Sequence, residues 1–353
     1  MKRKETDLPL IPVEDPEASR YRLLSQRHRN QLLGLVGLLL VSTGLSLLTG
    51  RYPTAGISNP FTIADDQLLQ TIMLNVRLPR ILLAVFGGAA LAGAGFVFQM
   101  LFANPLVEPG FLGVSQGAAF GAAGAIILFG YSAVLIQLSA SFFGLLGLIA
   151  SYLLAKRFRF GGWILRLVLS GIAVSALFSA GLSILKLFAD PTTSLQDITF
   201  WMMGGLWNSS WSNLVSVLPI MLASLAILVA SRWRINLLSL DDRTAHSIGI
   251  SPAKERSLLL FVATLGTTAM ISVAGLVGWV GLIIPHVSRR MFGSDARFAL
   301  PGSLVIGGLF LLACDTIGRT LLSGEIPLGI LTSVIGAATF ITILLRKQTE
   351  VKL

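Results

Sequence analysis

The chain has 353 residues, of which 54% are hydrophobic and only 12% charged, about half the charge content of a soluble domain. This composition, with a mean hydropathy of +0.79, excludes an ordinary water-soluble enzyme. It predicts an all-α polytopic membrane protein with about ten transmembrane helices, at roughly 20 residues per span. The net charge of +10 is then a topological signal before it is a sign of nucleic-acid binding, and the single Cys314 excludes an internal disulfide.

Residues 1–30 form a mixed-charge, proline-containing tail, read as solvated or surface-lying and expected to be cytoplasmic. The first apolar run begins only near Gln31 and has the length of a full span, so it reads as a membrane helix and not as a secretory leader. Charge-poor stretches follow at 78–102, 111–130, 133–155, 163–188, 213–231, 257–274, 276–291, 299–320 and 326–345, all within a transmembrane domain of residues 31–348. The run 257–291 is interrupted by Gly275, Gly278, Gly281 and Pro285, and its length suits two short spans joined by a tight turn.

Short cytoplasmic loops retain Lys and Arg. With an inside N-terminus, 22 of the 27 cations fall on the cytoplasmic side, and ten spans bring the basic C-terminal tail to the same side. Arg77 and Arg80, in Arg77-Leu78-Pro79-Arg80, stand where an outer loop enters the second span, and Arg319 stands at the outer end of the ninth. Singly, each can snorkel to the headgroups; together they can form a basic rim for an acidic partner.

Between the second and third spans, residues 102–113 carry two prolines and Glu108, which mark a stiff turn with a carboxylate near the next helix N-terminus. Gly87, Gly88, Gly93, Gly95, Gly113, Gly117, Gly121 and Gly124 recur at spacings of about four, a pattern for close helix packing. The longest charged loop after the tail, 236–256, contains a segment with helix boundary signals. Asp241 or Asp242 can cap a short helix, Gly249 can end it and Pro252 blocks its continuation. His246 reads as a surface residue there.

The three histidines share no metal-ligand spacing, and no carboxylate chain crosses the bilayer centre, as a proton-driven carrier would want. No GxxxxGK[ST] stretch is present, so the chain has no P-loop of its own.

Arg77-Leu78-Pro79-Arg80, Gly88 to Gly95 with Gln99, Asn104 to Gly113, Trp201-Met202-Met203-Gly204-Gly205, Gly281 to His286, Asp315 to Arg319 and Glu325 to Ile330 resemble the FecCD-type permeases of ABC importers, in the family's order. Val107, Ala337-Ala338 and the long tail depart from the usual pattern. The resemblance implies a type II importer permease, multi-pass in a bacterial inner membrane with both termini cytoplasmic. It pairs with a second permease subunit, identical or similar, with two ATPase subunits that hold the ATP and Mg, and with an extracytoplasmic binding protein. No catalytic residue, metal or cofactor is expected on this chain, and no nucleic-acid partner.

By the same resemblance Arg77, Arg80 and Arg319 receive the binding protein. Leu240, Asp241, Asp242, Arg243, Thr244, Ala245, His246, Ser247, Ile248 and Gly249, extending to about 251, form the coupling helix for the ATPase. The path runs between two permeases beside the fifth span, whose Ser170, Ser175, Ser179 and Ser183 are spaced for one face, as a polar pore wall or for close packing. The implied cargo is a ferric siderophore, with cobalamin or haem as family alternatives. An ion-coupled secondary carrier and, more distantly, a membrane enzyme are the competing classes.

Overall fold

The computed structural model describes residues 16–52, 56–59, 65–240, 242–247 and 249–350. Its helices, in chain order, are α1 (Pro16–Leu48), α2 (Gln67–Ile72), α3 (Leu78–Leu101), α4 (Val114–Phe129), α5 (Ala133–Arg157), α6 (Trp163–Phe188), α7 (Ser194–Met203), α8 (Trp211–Ala230), α9 (Arg232–Leu237), α10 (Asp242–Ser247), α11 (Pro252–Ala274), α12 (Val280–Phe292), α13 (Ala296–Thr320) and α14 (Leu328–Glu350). A two-residue antiparallel pair, β1 (Thr49–Gly50) and β2 (Gly56–Ile57), follows α1, with Thr49 opposite Ile57.

Among the described residues seven helical stretches are long and apolar enough to cross a membrane: Leu23–Leu48, Gln67–Leu101, Ala133–Arg157, Trp163–Phe188, Trp211–Ala230, Pro252–Ala274 and Ala296–Thr320. Val114–Phe129 and Leu328–Ile343 are shorter apolar helices, and α12 adds 13 residues. Each of the ten stretches expected from hydropathy therefore carries a helix. The expected break at Gly275 is also present, since α11 stops at Ala274 and helix resumes only at Val280. Helix α1 starts at Pro16, so residues 16–30 continue the first span as helix; residues 1–15 of the tail lie outside the described residues.

Lipid tails offer no hydrophobic drive between helices, so backbone proximity and dispersion hold such a bundle together. Helix α3 is its axis, with 83% of its apolar window buried, against 6% for the peripheral α1. The crossing of α3 with α13 depends on glycine, because a Cβ at Gly88 would overlap the Gly307 carbonyl and one at Gly307 the Gly88 carbonyl. Gly117 and Gly121 likewise bring α4 against the Phe143 and Ser139 carbonyls of α5. Small residues at four-residue spacing thus act as the sequence pattern anticipates.

One turn of the second span is widened. Over Met73–Arg77 the Leu78 N–H donates to the Met73 carbonyl, a π-type bond that directly precedes Pro79. Proline lacks an N–H and crowds the preceding turn, and a π-turn relieves that conflict while resetting the helix face. Arg77 and Arg80 thereby turn inward toward α1 and α13.

Candidate functional site

At one end of the bundle the three expected docking arginines converge. Arg80 Nε lies 2.8 Å from Asp315 Oδ1 and its Nη1 2.9 Å from Glu325 Oε1. Arg319, one helical turn after Asp315, places its Nε 3.7 Å from Oδ2 of the same carboxylate. Arg319 Nη1 donates to the Thr49 carbonyl at 2.7 Å, and Nη2 donates to both the Ser46 carbonyl and Ser46 Oγ. Arg77 donates to the Leu47 carbonyl at 2.9 Å and to the Tyr52 carbonyl at 3.1 Å.

These acceptors belong largely to the last turn of α1 and the β1 residue that follows it. A helix C-terminus leaves carbonyls without intrahelical partners and carries partial negative charge, so Arg77 and Arg319 supply its missing donors. Gly50 makes room, because a Cβ there would overlap the Arg77 guanidinium. The three arginines expected to form a basic rim are thus engaged within the chain. Arg77, Arg80 and Arg319 are 5%, 8% and 8% exposed, and they spend their donors inside the chain. Only Glu325 among the paired groups faces out, with its side chain 37% exposed.

The opposite end is marked by Asn236, on α9, whose side chain donates to Asp295 Oδ1 at 2.7 Å and accepts from Ala296 N at 2.8 Å, at the start of α13. The short helix of the 236–256 loop lies at this end and is six residues long, Asp242–Ser247. Gly249 terminates it with a φ of +82°. The Gly249 N–H donates to His246 O and the Ile250 N–H to Ala245 O, the paired bonds of a Schellman end. Pro252 opens α11.

Asp242 is the first helical residue of α10, and it pairs with Arg256 Nη1 at 2.7 Å, tying α10 to α11. Leu240 precedes the helix and Gly249 follows it. Arg243, Thr244, His246 and Ser247 are exposed and Ala245 is buried, so α10 presents a polar surface outward from one apolar anchor. Asp241 and Ile248 lie outside the described residues.

The serine stripe divides. At about 100° per residue, Ser175, Ser179 and Ser183 share a face of α6, whereas Ser170 points elsewhere, fully buried and bonded to the Arg166 carbonyl at 2.8 Å. The single face expected for all four is corrected for Ser170. Ser179 and Ser183 are exposed, with the exposed Ile172 between them on the same face.

The Trp201-Met202-Met203-Gly204-Gly205 motif has a structural counterpart. The Gly205 N–H donates to the Ala274 carbonyl at 2.7 Å and the Leu328 N–H to the Gly204 carbonyl at 2.8 Å. A Cβ at Gly275 would overlap the Trp201 carbonyl, and one at Gly329 the Met203 carbonyl. The non-helical link between α11 and α12 is thus covered by protein, as irregular backbone at membrane depth must be. A cavity of about 450 Å³ opens there, lined by uncharged residues including Met202, Met203, Gly278, Ile330 and Ser333. Nearby in the bundle, Gln99 donates to the Gly281 and Leu282 carbonyls and accepts from Arg289, a tie between α3 and α12 that sequence reading did not anticipate.

Comparison with known proteins accounts for this arrangement. The FecCD transport family matches residues 37–346. The molybdate import system permease protein MolB of Haemophilus influenzae is 38% identical over 317 residues, covering 88% of this chain and 93% of that protein. A Helicobacter pylori protein named a probable iron chelatin transport system permease is also 38% identical, over 320 residues, covering 90% and 96%. Among solved structures, a metal-chelate type ABC transporter in an inward-facing conformation superposes with a TM-score of 0.84 at 37% identity, covering 90% of this chain and 99% of that one. The chain belongs to the FecCD transport family and is a multi-pass permease of an ABC importer.

Proposed function

We propose that this permease imports a ferric siderophore, received from an extracytoplasmic binding protein and moved by ATP-driven alternating access between two permease subunits. The observation that carries the cargo assignment is the uncharged lining of the cavity beside α7 and α14. A metal delivered inside its chelator needs no ligands from the wall, whereas a bare cation or a small oxyanion wants fixed charges or donors. The iron chelatin relative supports the same class.

In this reading both termini are cytoplasmic in a bacterial inner membrane, the arginine end faces outward and α10 faces the ATPases. Two ATPase subunits hold the ATP and Mg, and this chain performs no chemistry. Its contribution is differential packing in two states. The exposed side of α6 with Ser175, Ser179 and Ser183 meets the second permease along the path. A carboxylate of the binding protein replaces Glu325 on Arg80, so that docking draws on Arg77, Arg80 and Arg319 through exchange of an internal partner and not through an open rim.

The test is uptake into proteoliposomes that contain the permease with its co-purified ATPase and binding protein, supplied with iron-loaded siderophore, haem, cobalamin or molybdate. Siderophore uptake that requires ATP supports the reading. Preference for haem, cobalamin or molybdate replaces the cargo, and uptake without ATP replaces the class with an ion-coupled carrier.

A further inference from the structure

Where α5, α6 and α11 end beside α10, a cavity of about 290 Å³ is lined by Tyr152, Lys156, Trp163, Arg166, Asp242 and Arg256 among others. Among the described residues three cations face one carboxylate there. The Arg256 side chain is only 10% exposed. It pairs with Asp242 through Nη1, donates to the Leu238 carbonyl through Nη2 at 3.2 Å and lies 5.2 Å over the Trp163 ring. Its Nε is buried with no acceptor among the described residues. Arg166 repeats the pattern, donating through Nη1 to the Phe158 carbonyl at 2.9 Å while its buried Nε has no acceptor among the described residues. Lys156 holds its ammonium 4.5 Å from the centre of the Tyr152 ring, which Tyr152 anchors by a 2.7 Å bond from its hydroxyl to Ser257.

Arg166 and Arg256 line the cavity with guanidinium groups whose hydrogen-bonding capacity is not filled among the described residues, and buried donors of this kind are ordinarily satisfied, so the cationic cavity suits an anionic oxygen ligand. The surroundings specify what carries it. Trp and Tyr beside Lys and Arg mark the membrane–water boundary, and Leu153, Phe160 and Leu165, close by in sequence on α5, the linker and α6, are exposed apolar groups able to meet acyl chains.

We propose that this cavity binds the phosphate of an anionic phospholipid headgroup. Such basic pockets between helices suit acidic lipids, each nearby cation contributing on the order of a fivefold gain in affinity. Because Arg256 also holds Asp242, the first residue of α10, the lipid shares a guanidinium with the tie between α10 and α11.

The experiment is native mass spectrometry of the full-length permease, released from detergent and titrated with phosphatidylglycerol, phosphatidylcholine or inorganic phosphate. Phosphatidylglycerol should be retained about 25-fold more tightly than phosphatidylcholine, since at least two cations act on it at about fivefold each. Lys156→Gln and Arg166→Gln should each lower that affinity about fivefold, while Arg232→Gln, an exposed cation on α9 outside the cavity, leaves it unchanged. Lys156 is exposed, so its variant keeps the test open even where Arg166→Gln fails to fold. Equal retention of the two lipids, or unchanged affinity in Lys156→Gln, overturns the proposal. Displacement of phosphatidylglycerol by millimolar inorganic phosphate assigns the cavity to free phosphate and overturns the lipid source.

Discussion

Arg80 and Asp315 stand 235 residues apart in sequence and 2.8 Å apart in space, with the Asp315 side chain fully buried. The pair joins α3 to α13, and its value lies in mutual compensation, because a carboxylate at this depth is costly without its cation. Arg80→Ala leaves Asp315 only the longer contact to Arg319, at 3.7 Å, and should destabilise the fold by about 3–5 kcal/mol. Replacing both partners, as Arg80→Met with Asp315→Leu, should recover most of that loss. Thermal unfolding of the single and double variants in detergent checks the cycle. Additive losses would mean that the two side chains do not depend on one another.

Arg77 and Arg319 act on a different partner, the end of α1. Arg77→Met removes the donors to the Leu47 and Tyr52 carbonyls, at an expected cost of about 1–3 kcal/mol for the groups left unpaired. The loss should appear locally first. The Ser58 amide, which donates to the Leu48 carbonyl at 2.9 Å, should exchange with deuterium about tenfold faster, corresponding to ~1.4 kcal/mol of easier opening. Unchanged exchange at Ser58 would show that the β1–β2 segment holds the end of α1 without Arg77.

The difference between a rim and a helix clamp was not visible in the order of residues. Hydropathy placed a helix at every expected stretch because apolar length is a local property, and Gly275 announced the break before α12 for the same reason. Arg319 and Ser46 are 273 positions apart, and nothing local announces that one guanidinium completes the other's helix end. Asp315, four residues before Arg319, was the available hint. Ser170 shows a milder failure, since a serine recurring at about four residues suggests a stripe, but the five-residue step to Ser175 turns it to another face. The end of α10 was legible from Gly249 alone. The partner of Asp242 was not, because Arg256 lies across a turn whose geometry only the fold provides.

Glycine at the α3–α13 crossing gives a prediction of another kind. Gly88→Ala places a methyl against the Gly307 carbonyl and within 2.8 Å of the Leu311 Cβ, and backbone cannot yield as a flexible side chain does. Overpacking of this sort costs about 1–3 kcal/mol, occasionally more, and it should reduce the folded yield as well as the melting temperature. Gly34→Ala, on the peripheral α1 with nothing within 4 Å of the added methyl, is the matched control and should be neutral. Equal behaviour of the two variants would argue against close contact of these helices.

Glu108 confers a pH dependence whose sign follows from burial. Desolvation pushes its carboxyl up from 4.5 to about 7, so the folded chain holds this proton more tightly than the unfolded chain does. Its contribution to stability is fully present below the unfolded value and is lost as pH rises through about 7. Glu108→Gln carries no ionisable group and should lose less melting temperature between about pH 5 and pH 8 than the parent. Parallel pH profiles of the two proteins would place the Glu108 carboxyl in water.

In α10, six helical residues end at a glycine of positive φ. Gly249→Pro removes the N–H that donates to His246 O and imposes a φ near −65° where the backbone sits at +82°. Gly249→Ala keeps the N–H and pays only for the left-handed backbone, about 1 kcal/mol. If α10 transmits motion from an ATPase subunit, the proline variant should assemble poorly or hydrolyse ATP without matching uptake, while the alanine variant should retain most of its coupling. Because Asp242 ties α10 to Arg256 of α11 at 2.7 Å, Asp242→Asn should lower the ratio of substrate imported to ATP hydrolysed in the same direction as the proline. Measuring both rates in the same proteoliposomes separates the cases. Full import per ATP in Gly249→Pro would remove α10 from the coupling path, whereas loss of import with an unchanged melting temperature would place it there.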